Sequence, residues 1–93
     1  MSTLKELVKN PETIIVDVRN QWEYEMEHVP EAKNIPLEEV SFKINELKAL
    51  NKPLVLYCRS GNRSGMAVNI LKQNGLTEVY NGGSLDDMQF LLN

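Results

Sequence analysis

The sequence is poorest in the residues that build metal sites, disulfides and membrane spans. It holds one cysteine, Cys58, and one histidine, His28, among 93 residues. A single cysteine excludes a disulfide within the chain, and with one histidine it is too few for the usual zinc-ligand sets. No apolar run approaches the ~20 residues that a membrane-spanning helix needs. We therefore expect no metal and no membrane contact, and Cys58 must act alone or be inert.

The charge balance is mildly acidic, with ten Lys and Arg against thirteen Asp and Glu and a net charge of −3. This balance does not favour broad binding to nucleic acid or to anionic membranes, so any anion site must be local. Folding a chain of this size buries somewhat over ~60% of its surface, which is too little buried surface for two separate hydrophobic cores. We predict one domain over residues 1–93, and we expect a monomer. Residues 1–10 lack the apolar core of a signal peptide, which favours the cytoplasm.

Apolar runs alternate with helical patterns along the chain, as in a parallel sheet with crossover helices. Strands are predicted at residues 14–18, very briefly at 34–35, at 54–57, and from Val79 onward. The run at 54–57 is apolar without interruption, which is typical of a central strand buried on both faces. The predicted fold class is α/β, with three layers: a central, mostly parallel sheet of four or five strands flanked by helices.

Apolar residues spaced by three and four predict the helices around that sheet. The clearest pattern predicts one helix from Leu37 to Leu50, a short helix follows a cap at Ser2 or Thr3, and residues 21–27 form one or two turns. The buried face of the helix after the Cys58 segment is assigned to Met66, Ala67, Ile70 and Leu71, with Gly75 at its end. Gly82 and Gly83 are predicted to form a turn, and Ser84 to cap a final helix. Trp22, Tyr24 and the methionines are interpreted as packing residues.

The segment between the buried strand and the next helix carries the chemistry. It consists of Cys58, Arg59, Ser60, Gly61, Asn62, Arg63 and Ser64. Successive amides of such a turn can point at one spot, and the helix behind it adds a positive dipole end, which together form an anion cradle. A nucleophile needs the thiolate, whereas an ordinary thiol has a pKa near ~8.5. A helix dipole contributes about 0.3–1 kcal/mol and a charge-assisted bond about 1.5–3 kcal/mol, so we assign the amides the larger share of the pKa lowering.

Several short segments, in order along nearly the whole chain, resemble the rhodanese-like domain family of single-domain sulfurtransferases. The matching segments are Asp17, Val18 and Arg19; Glu23 and Tyr24; His28, Val29 and Pro30; Asn34, Ile35 and Pro36; the Cys58 loop; and Gly82 with Gly83. The resemblance implies a persulfide on Cys58 and a transfer of sulfur from a donor such as thiosulfate to a thiophilic acceptor. It also implies that Asp17 and Arg19 flank the loop. Glu27 and Glu31 depart from the family, which often has glycine at these positions.

The other polar residues are given supporting roles. Arg59 and Arg63 are expected to contact an anionic sulfur donor through their planar guanidinium groups. Asp17 is expected to orient one of the arginines. Two roles are left open for Arg19: assisting the site, or forming an ion pair with Glu23. His28 is interpreted as a hydrogen-bonded loop residue.

The predicted mechanism is a double displacement. Cys58 takes sulfur from a small anionic donor and passes it to cyanide, a thiol or a partner protein, with no metal or organic cofactor. A partner-dependent persulfide carrier or redox-sensing module is the alternative, and a purely structural domain is the third reading. A cysteine phosphatase or arsenate reductase fits less well, since such enzymes resemble a pattern with five residues between cysteine and arginine. Here four residues separate Cys58 from Arg63.

Overall fold

Four parallel strands form the centre of the computed structural model, which describes residues 3–93. The strands are β1 (Ile14–Asp17), β2 (Lys33–Asn34), β3 (Leu54–Cys58) and β4 (Val79–Ser84). They lie side by side in the order β2-β1-β3-β4, and every neighbouring pair is parallel. The predicted α/β class with a parallel central sheet is confirmed, with four strands within the described residues.

Helices cover both faces of this sheet. Within residues 3–93 they are α1 (Leu4–Lys9), α2 (Gln21–Met26), α3 (Leu37–Val40), α4 (Ile44–Leu50), α5 (Asn62–Gln73) and α6 (Leu85–Leu92). Residues of α3, α4 and α5 share one apolar core with the sheet, and residues of α1, α2 and α6 share the other. The three predicted layers are therefore present. None of these helices, in the part of the chain described, has the length and apolar character needed to cross a bilayer.

Strand β3 connects the two cores, because successive residues of a strand point to opposite faces of the sheet. Leu54, Leu56 and Cys58 join the core on the α5 side, whereas Val55 and Tyr57 join the core on the α6 side. All five residues are buried. This double burial is the physical reason for the uninterrupted apolar run in the sequence.

The helix ends follow the predicted capping residues closely. The Thr3 hydroxyl accepts a hydrogen bond from the Glu6 amide at 3.2 Å, and the Glu6 carboxylate accepts one from the Thr3 amide at 2.9 Å. Ser2, the other candidate cap, lies outside the described residues. Ser84 caps α6 in the same reciprocal way with Asp87, at 3.0 Å in each direction. These paired bonds satisfy amides at the helix starts that have no partner inside the helix.

The prediction of one helix from Leu37 to Leu50 is wrong, because the chain breaks into α3 and α4. The amides of Phe42 and Lys43 bond to the carbonyls of residues three positions back, and the helix restarts at Ile44. Val40 and Leu47 nevertheless pack into the same core. The apolar spacing thus indicated a shared buried face and could not reveal the interruption between the two helices.

The predicted turn at Gly82 and Gly83 is also wrong, because both residues lie within β4. Pairing with β3 skips one position: Leu56 faces Asn81 and Tyr57 faces Gly83, so Gly82 is the extra residue of a β-bulge. A Cβ on Gly82 would lie 2.5 Å from the Met88 sulfur and 2.9 Å from a Val55 methyl carbon. The glycine is needed because the bulge presses the backbone against the core.

The interpretation of the large apolar residues as packing holds only in part. Met88 is fully buried, and Tyr24 packs against the α6-side core. Trp22, Met26 and Met66 are instead 61%, 78% and 53% exposed. Met66 was assigned to the buried face of α5, whereas Ser64, Ala67, Val68 and Leu71 form that face. The exposed pair Trp22 and Met26 lies beside the Cys58 loop, in a cleft that Arg59 also lines.

Candidate active site

The site lies where the carboxyl ends of β1 and β3 meet. From β1 the chain moves outward to β2 and then returns to β3 on the other side, so the strand order reverses between these two neighbours. Ligands of open parallel sheets bind at such reversal points, beyond the carboxyl ends of the strands. Asp17 ends β1 and Cys58 ends β3, and Asp17 is paired with Tyr57 in the sheet register. The fold thus brings two predicted site residues to the same edge.

The Cys58 sulfur is fully buried and receives hydrogen bonds from the loop that follows it. The Gly61 amide donates to Sγ at 3.0 Å, and the Ser64 amide and hydroxyl each lie 3.4 Å from it. Burial alone raises the pKa of the Cys58 thiol, but the Ser64 hydroxyl and the amides of Ser64, Ser60 and Gly61 outweigh it. The pKa therefore lies below the ordinary thiol value. Such donors stabilise the thiolate form that a nucleophile requires.

The Ser64 hydroxyl has one proton and two acceptors within reach. Asn81 Oδ1 lies 2.7 Å from Oγ, nearer than the Cys58 sulfur. Asn81 is itself held, because its Oδ1 accepts from the Gly83 amide at 2.9 Å and its Nδ2 donates to the Gly61 carbonyl at 3.0 Å. The β4 bulge next to Asn81 is thereby joined by side-chain hydrogen bonds to the loop that surrounds the sulfur.

The loop turns tightly enough to aim its amides at one atom because of Gly61. This residue has φ +93°, in the left-handed region that side chains other than glycine rarely adopt. It immediately precedes α5, whose third residue is Ser64. The amides that reach Cys58 therefore come from the turn and from the first turn of a twelve-residue helix.

Arg63 is engaged by an acidic side chain from α2. Its Nη1 and Nη2 donate to the two carboxylate oxygens of Glu23 at 2.8 and 3.2 Å, a bidentate pair. Glu23 is buried, and the bond from Arg63 holds the pKa of its carboxyl below the usual value. The hydrogen bond to Glu23, and to a smaller degree the Cys58 thiolate charge, raise the pKa of Arg63. The guanidinium expected to face a substrate anion is thus paired within the protein.

Asp17 orients Arg19, its neighbour two positions along the chain, and the predicted pair of Arg19 with Glu23 is replaced by this contact. The buried Asp17 carboxylate accepts from the Arg19 amide at 2.9 Å and from Nε and Nη2 at 3.1 and 2.8 Å. Arg19 also donates to the Glu27 carbonyl at 2.5 Å and lies 5.8 Å from the Tyr57 ring centroid. Burial lowers the pKa of Arg19, but bonding to Asp17 outweighs it, and the pKa lies above its ordinary value.

A cleft of about 390 Å³ opens beside the loop. It is lined by Arg19, Trp22, Glu23, Met26, Glu27, Arg59, Leu85 and Asp86. Arg59 is exposed on the loop, as are Ser60 and Asn62, and the Ser60 hydroxyl accepts from the Asn62 amide at 3.4 Å. Arg19 and Arg59, two of the predicted site residues, therefore share one cleft.

His28 lies outside this set of groups and has a structural contact. Its ring stacks on Tyr24 with centroids 3.7 Å apart, and Nδ1 lies 2.7 Å from the Tyr24 carbonyl oxygen. This agrees with its interpretation as a hydrogen-bonded loop residue. Within residues 3–93 no cluster of His, Cys, Asp and Glu has a geometry that could hold a metal ion.

Sequence reasoning missed Asn81 and the pairing of Glu23 with Arg63. A polar Asn inside a β-strand, directly before two glycines, was the available signal for a residue that bonds beyond its own strand. The Glu23–Arg63 contact joins residues 40 positions apart. No local pattern predicts which of several carboxylates such an arginine will meet.

Comparison with known proteins places these features in a family. A model of the rhodanese-like domain matches residues 1–85. The thiosulfate sulfurtransferase PspE of Escherichia coli is 42% identical over 74 residues, which cover 78% of this chain and 71% of that protein. The putative sulfur carrier protein YrkF of Bacillus subtilis is 39% identical over 82 residues, which cover 87% of this chain and 44% of that protein. The chain thus spans less than half of the carrier protein's length.

The fold comparison gives the same result. A structure described as a rhodanese with anions, from E. coli, superposes with a TM-score of 0.73 and 40% identity. The match covers 81% of this chain and 89% of that one.

Proposed function

The chain belongs to the rhodanese-like domain family, and from this membership we propose that it transfers sulfane sulfur through a persulfide on Cys58. The observation that carries the proposal is the set of hydrogen bonds from Gly61 and Ser64 to the Cys58 sulfur. These donors lower the pKa of the thiol despite its full burial. The same donors would stabilise both the attacking thiolate and the persulfide anion that forms from it, because both species place a negatively charged sulfur at the centre of the loop.

The proposed reaction has two displacements. The Cys58 thiolate attacks the outer sulfur of a donor such as thiosulfate, the donor's sulfur–sulfur bond breaks, and sulfite leaves with the bonding electron pair. The remaining loop amides hold the terminal sulfur of the resulting Cys58 persulfide. An acceptor nucleophile such as cyanide then attacks that terminal sulfur, the new sulfur–sulfur bond breaks, and the Cys58 thiolate returns.

The charged residues around the loop have supporting roles in this proposal. Arg59 is the exposed guanidinium of the loop and would meet an anionic donor first. Asp17 and Arg19 support the edge of the sheet beside the loop, since Arg19 donates both to the Asp17 carboxylate and to the Glu27 carbonyl. Arg63 fixes the start of α5 against α2 through Glu23.

Sulfur transfer by Cys58 is tested with the Cys58→Ser variant. Thiosulfate and cyanide are supplied, and thiocyanate is measured as the product. We expect turnover by the parent protein and only the uncatalysed background with the variant, because a hydroxyl cannot form the persulfide. Circular dichroism of both proteins establishes that the variant is folded. A folded Cys58→Ser variant that keeps most of the turnover would refute the mechanism.

A persulfide carrier is the second candidate function, favoured by the similarity to the putative sulfur carrier protein YrkF. A carrier would receive sulfur only from a partner protein, so it would show no turnover of thiosulfate with cyanide. It would still carry a cyanide-removable sulfur on Cys58 when isolated from cells. A cysteine phosphatase is disfavoured, because the arginine that would hold a phosphate ester, Arg63, is paired with Glu23.

A further inference from the structure

We propose that Glu23 is a specificity-determining residue of the Cys58 site. By pairing with Arg63, Glu23 disfavours the binding of doubly charged donors such as thiosulfate. The site is then better suited to organic persulfides, whose organic group would contact Trp22 and Met26. The inference rests on the proposed sulfur transfer through Cys58 and names the class of donor that the site prefers.

The first observation is that the end of the Arg63 guanidinium is already paired with a carboxylate. Its Nη1 and Nη2 lie 2.8 and 3.2 Å from the two oxygens of Glu23. The Glu23 side chain is 9% exposed and also accepts from the Asn20 amide at 3.1 Å, so it is held in place from two sides. Glu23 therefore takes the end-on fork of Arg63 and neutralises its charge, so an incoming oxyanion finds only the Nε side of a guanidinium that is already paired.

The second observation is the balance of charge around the loop and its cleft. Arg19 is paired with Asp17 and Arg63 with Glu23. Arg59 lines the cleft together with Glu27 and Asp86. Three arginines thus meet four carboxylates: Asp17, Glu23, Glu27 and Asp86. Coulombic attraction for a dianion is weak at such a site, because two of the arginines are already paired and the carboxylates are at least as numerous as the arginines.

The two donor classes place different charge next to the Cys58 thiolate. Thiosulfate brings two negative charges to the thiolate and releases sulfite, which carries two. An organic persulfide, R–S–SH, has its terminal sulfur attacked by the thiolate, its sulfur–sulfur bond breaks, and R–S⁻ leaves with the electron pair. The terminal S–H group remains on Cys58, and the single negative charge moves from Cys58 to the leaving thiolate. The reaction with an organic persulfide therefore needs fewer positively charged groups near the Cys58 sulfur than the reaction with thiosulfate.

The third observation is the apolar wall of the cleft. Trp22 and Met26 are 61% and 78% exposed, and their spacing of four places them on the same face of α2. Leu85 lines the cleft with them. Exposed apolar side chains that gather beside a reactive residue mark a surface for an apolar ligand group. A small inorganic oxyanion gains nothing from such a wall, whereas the organic group of a persulfide does.

The test compares two donors on the same protein: thiosulfate, and benzyl hydropersulfide released from a precursor as an apolar donor with no more than one negative charge. The kcat/KM of each is measured with cyanide as acceptor. Glu23→Gln keeps an oxygen for the Asn20 amide but removes the charge. We expect it to shift the ratio of the two kcat/KM values toward thiosulfate by about fivefold, through a lower KM for thiosulfate. Glu25→Gln, on the exposed side of the same helix, should leave the ratio unchanged.

A second variant, Trp22→Ala, should also shift the ratio toward thiosulfate, but by impairing the use of the organic donor. Removal of the exposed ring should lower kcat/KM for benzyl hydropersulfide by about fivefold. An unchanged ratio in Glu23→Gln would overturn the inference, as would a parent protein that prefers thiosulfate, provided that Cys58 persulfide forms. If the parent forms no persulfide with either donor, the proposed function itself fails, and the inference falls with it.

Discussion

Cys58 combines two properties that oppose each other in most proteins: full burial and a lowered thiol pKa. A buried cysteine among apolar neighbours is ordinarily an inert filler with a raised pKa. Here the sulfur lies among side chains of the α5-side core and still has two amides and one hydroxyl, from Gly61 and Ser64, within hydrogen-bond distance. The donor groups, and not exposure, therefore determine its chemistry.

The Ser64 hydroxyl supplies the part of this stabilisation that a substitution can remove. Ser64→Ala should decrease the thiolate fraction at neutral pH about three- to tenfold, less than the loss of a full charge-assisted bond, because the hydroxyl proton is shared between the sulfur and Asn81. Because the thiolate is the reactive form, persulfide formation should reach half its maximal rate at a higher pH than in the parent. The thiolate is followed by its ultraviolet absorbance during a pH titration, and the single cysteine makes the signal unambiguous.

The matched control for this titration is Ser60→Ala in the same loop. The Ser60 hydroxyl accepts from the Asn62 amide, and its loss should leave the titration close to that of the parent. A Ser64→Ala protein that titrates at the same pH as the parent, or at a lower pH, would contradict the role given to the hydroxyl.

At the scale of elements, apolar periodicity predicted which residues share a buried face. It failed to predict where a helix is interrupted or where a strand forms a bulge. The stripe from Leu37 to Leu50 gave the correct buried face, but α3 and α4 are separate. Gly82 was predicted to turn the chain, and instead it forms a bulge inside β4. Interruptions of this kind depend on contacts with distant elements, such as the Met88 sulfur against Gly82, which no local pattern contains.

The bulge is predicted to be intolerant of any side chain at Gly82. Gly82→Ala should lower the free energy of unfolding by about 1–3 kcal/mol, because the new methyl group overlaps the Met88 sulfur and a Val55 methyl in a packed core. Gly65→Ala is the matched control: its Cβ would lie 3.4 Å from the Asn81 side chain, an ordinary contact, and alanine favours the helix. Urea denaturation measures both variants. Equal stability of the two would show that Gly82 is not constrained by packing.

At the scale of the whole molecule, the order of the strands decides where the site can be. The parallel order β2-β1-β3-β4 places the ends of β1 and β3 side by side, so Asp17 and the Cys58 loop meet although 40 residues separate them. The alternation of apolar runs and helical patterns was sufficient to predict a mostly parallel sheet and the position of the loop after a buried strand, but not the order of the strands. The ion pairs were not predictable, because Glu23 reaches Arg63 only after α2 and α5 have taken their places on opposite faces of the sheet.

The most direct test of the account is the mass of the intact protein before and after exposure to a sulfur donor. Thiosulfate and benzyl hydropersulfide are supplied separately, with Cys58→Ser as the control. We predict that the parent protein gains one sulfur atom from at least one donor, that cyanide removes it, and that the variant gains none. A parent protein that stays unmodified with both donors, or a variant that gains the same sulfur, would contradict persulfide chemistry at Cys58.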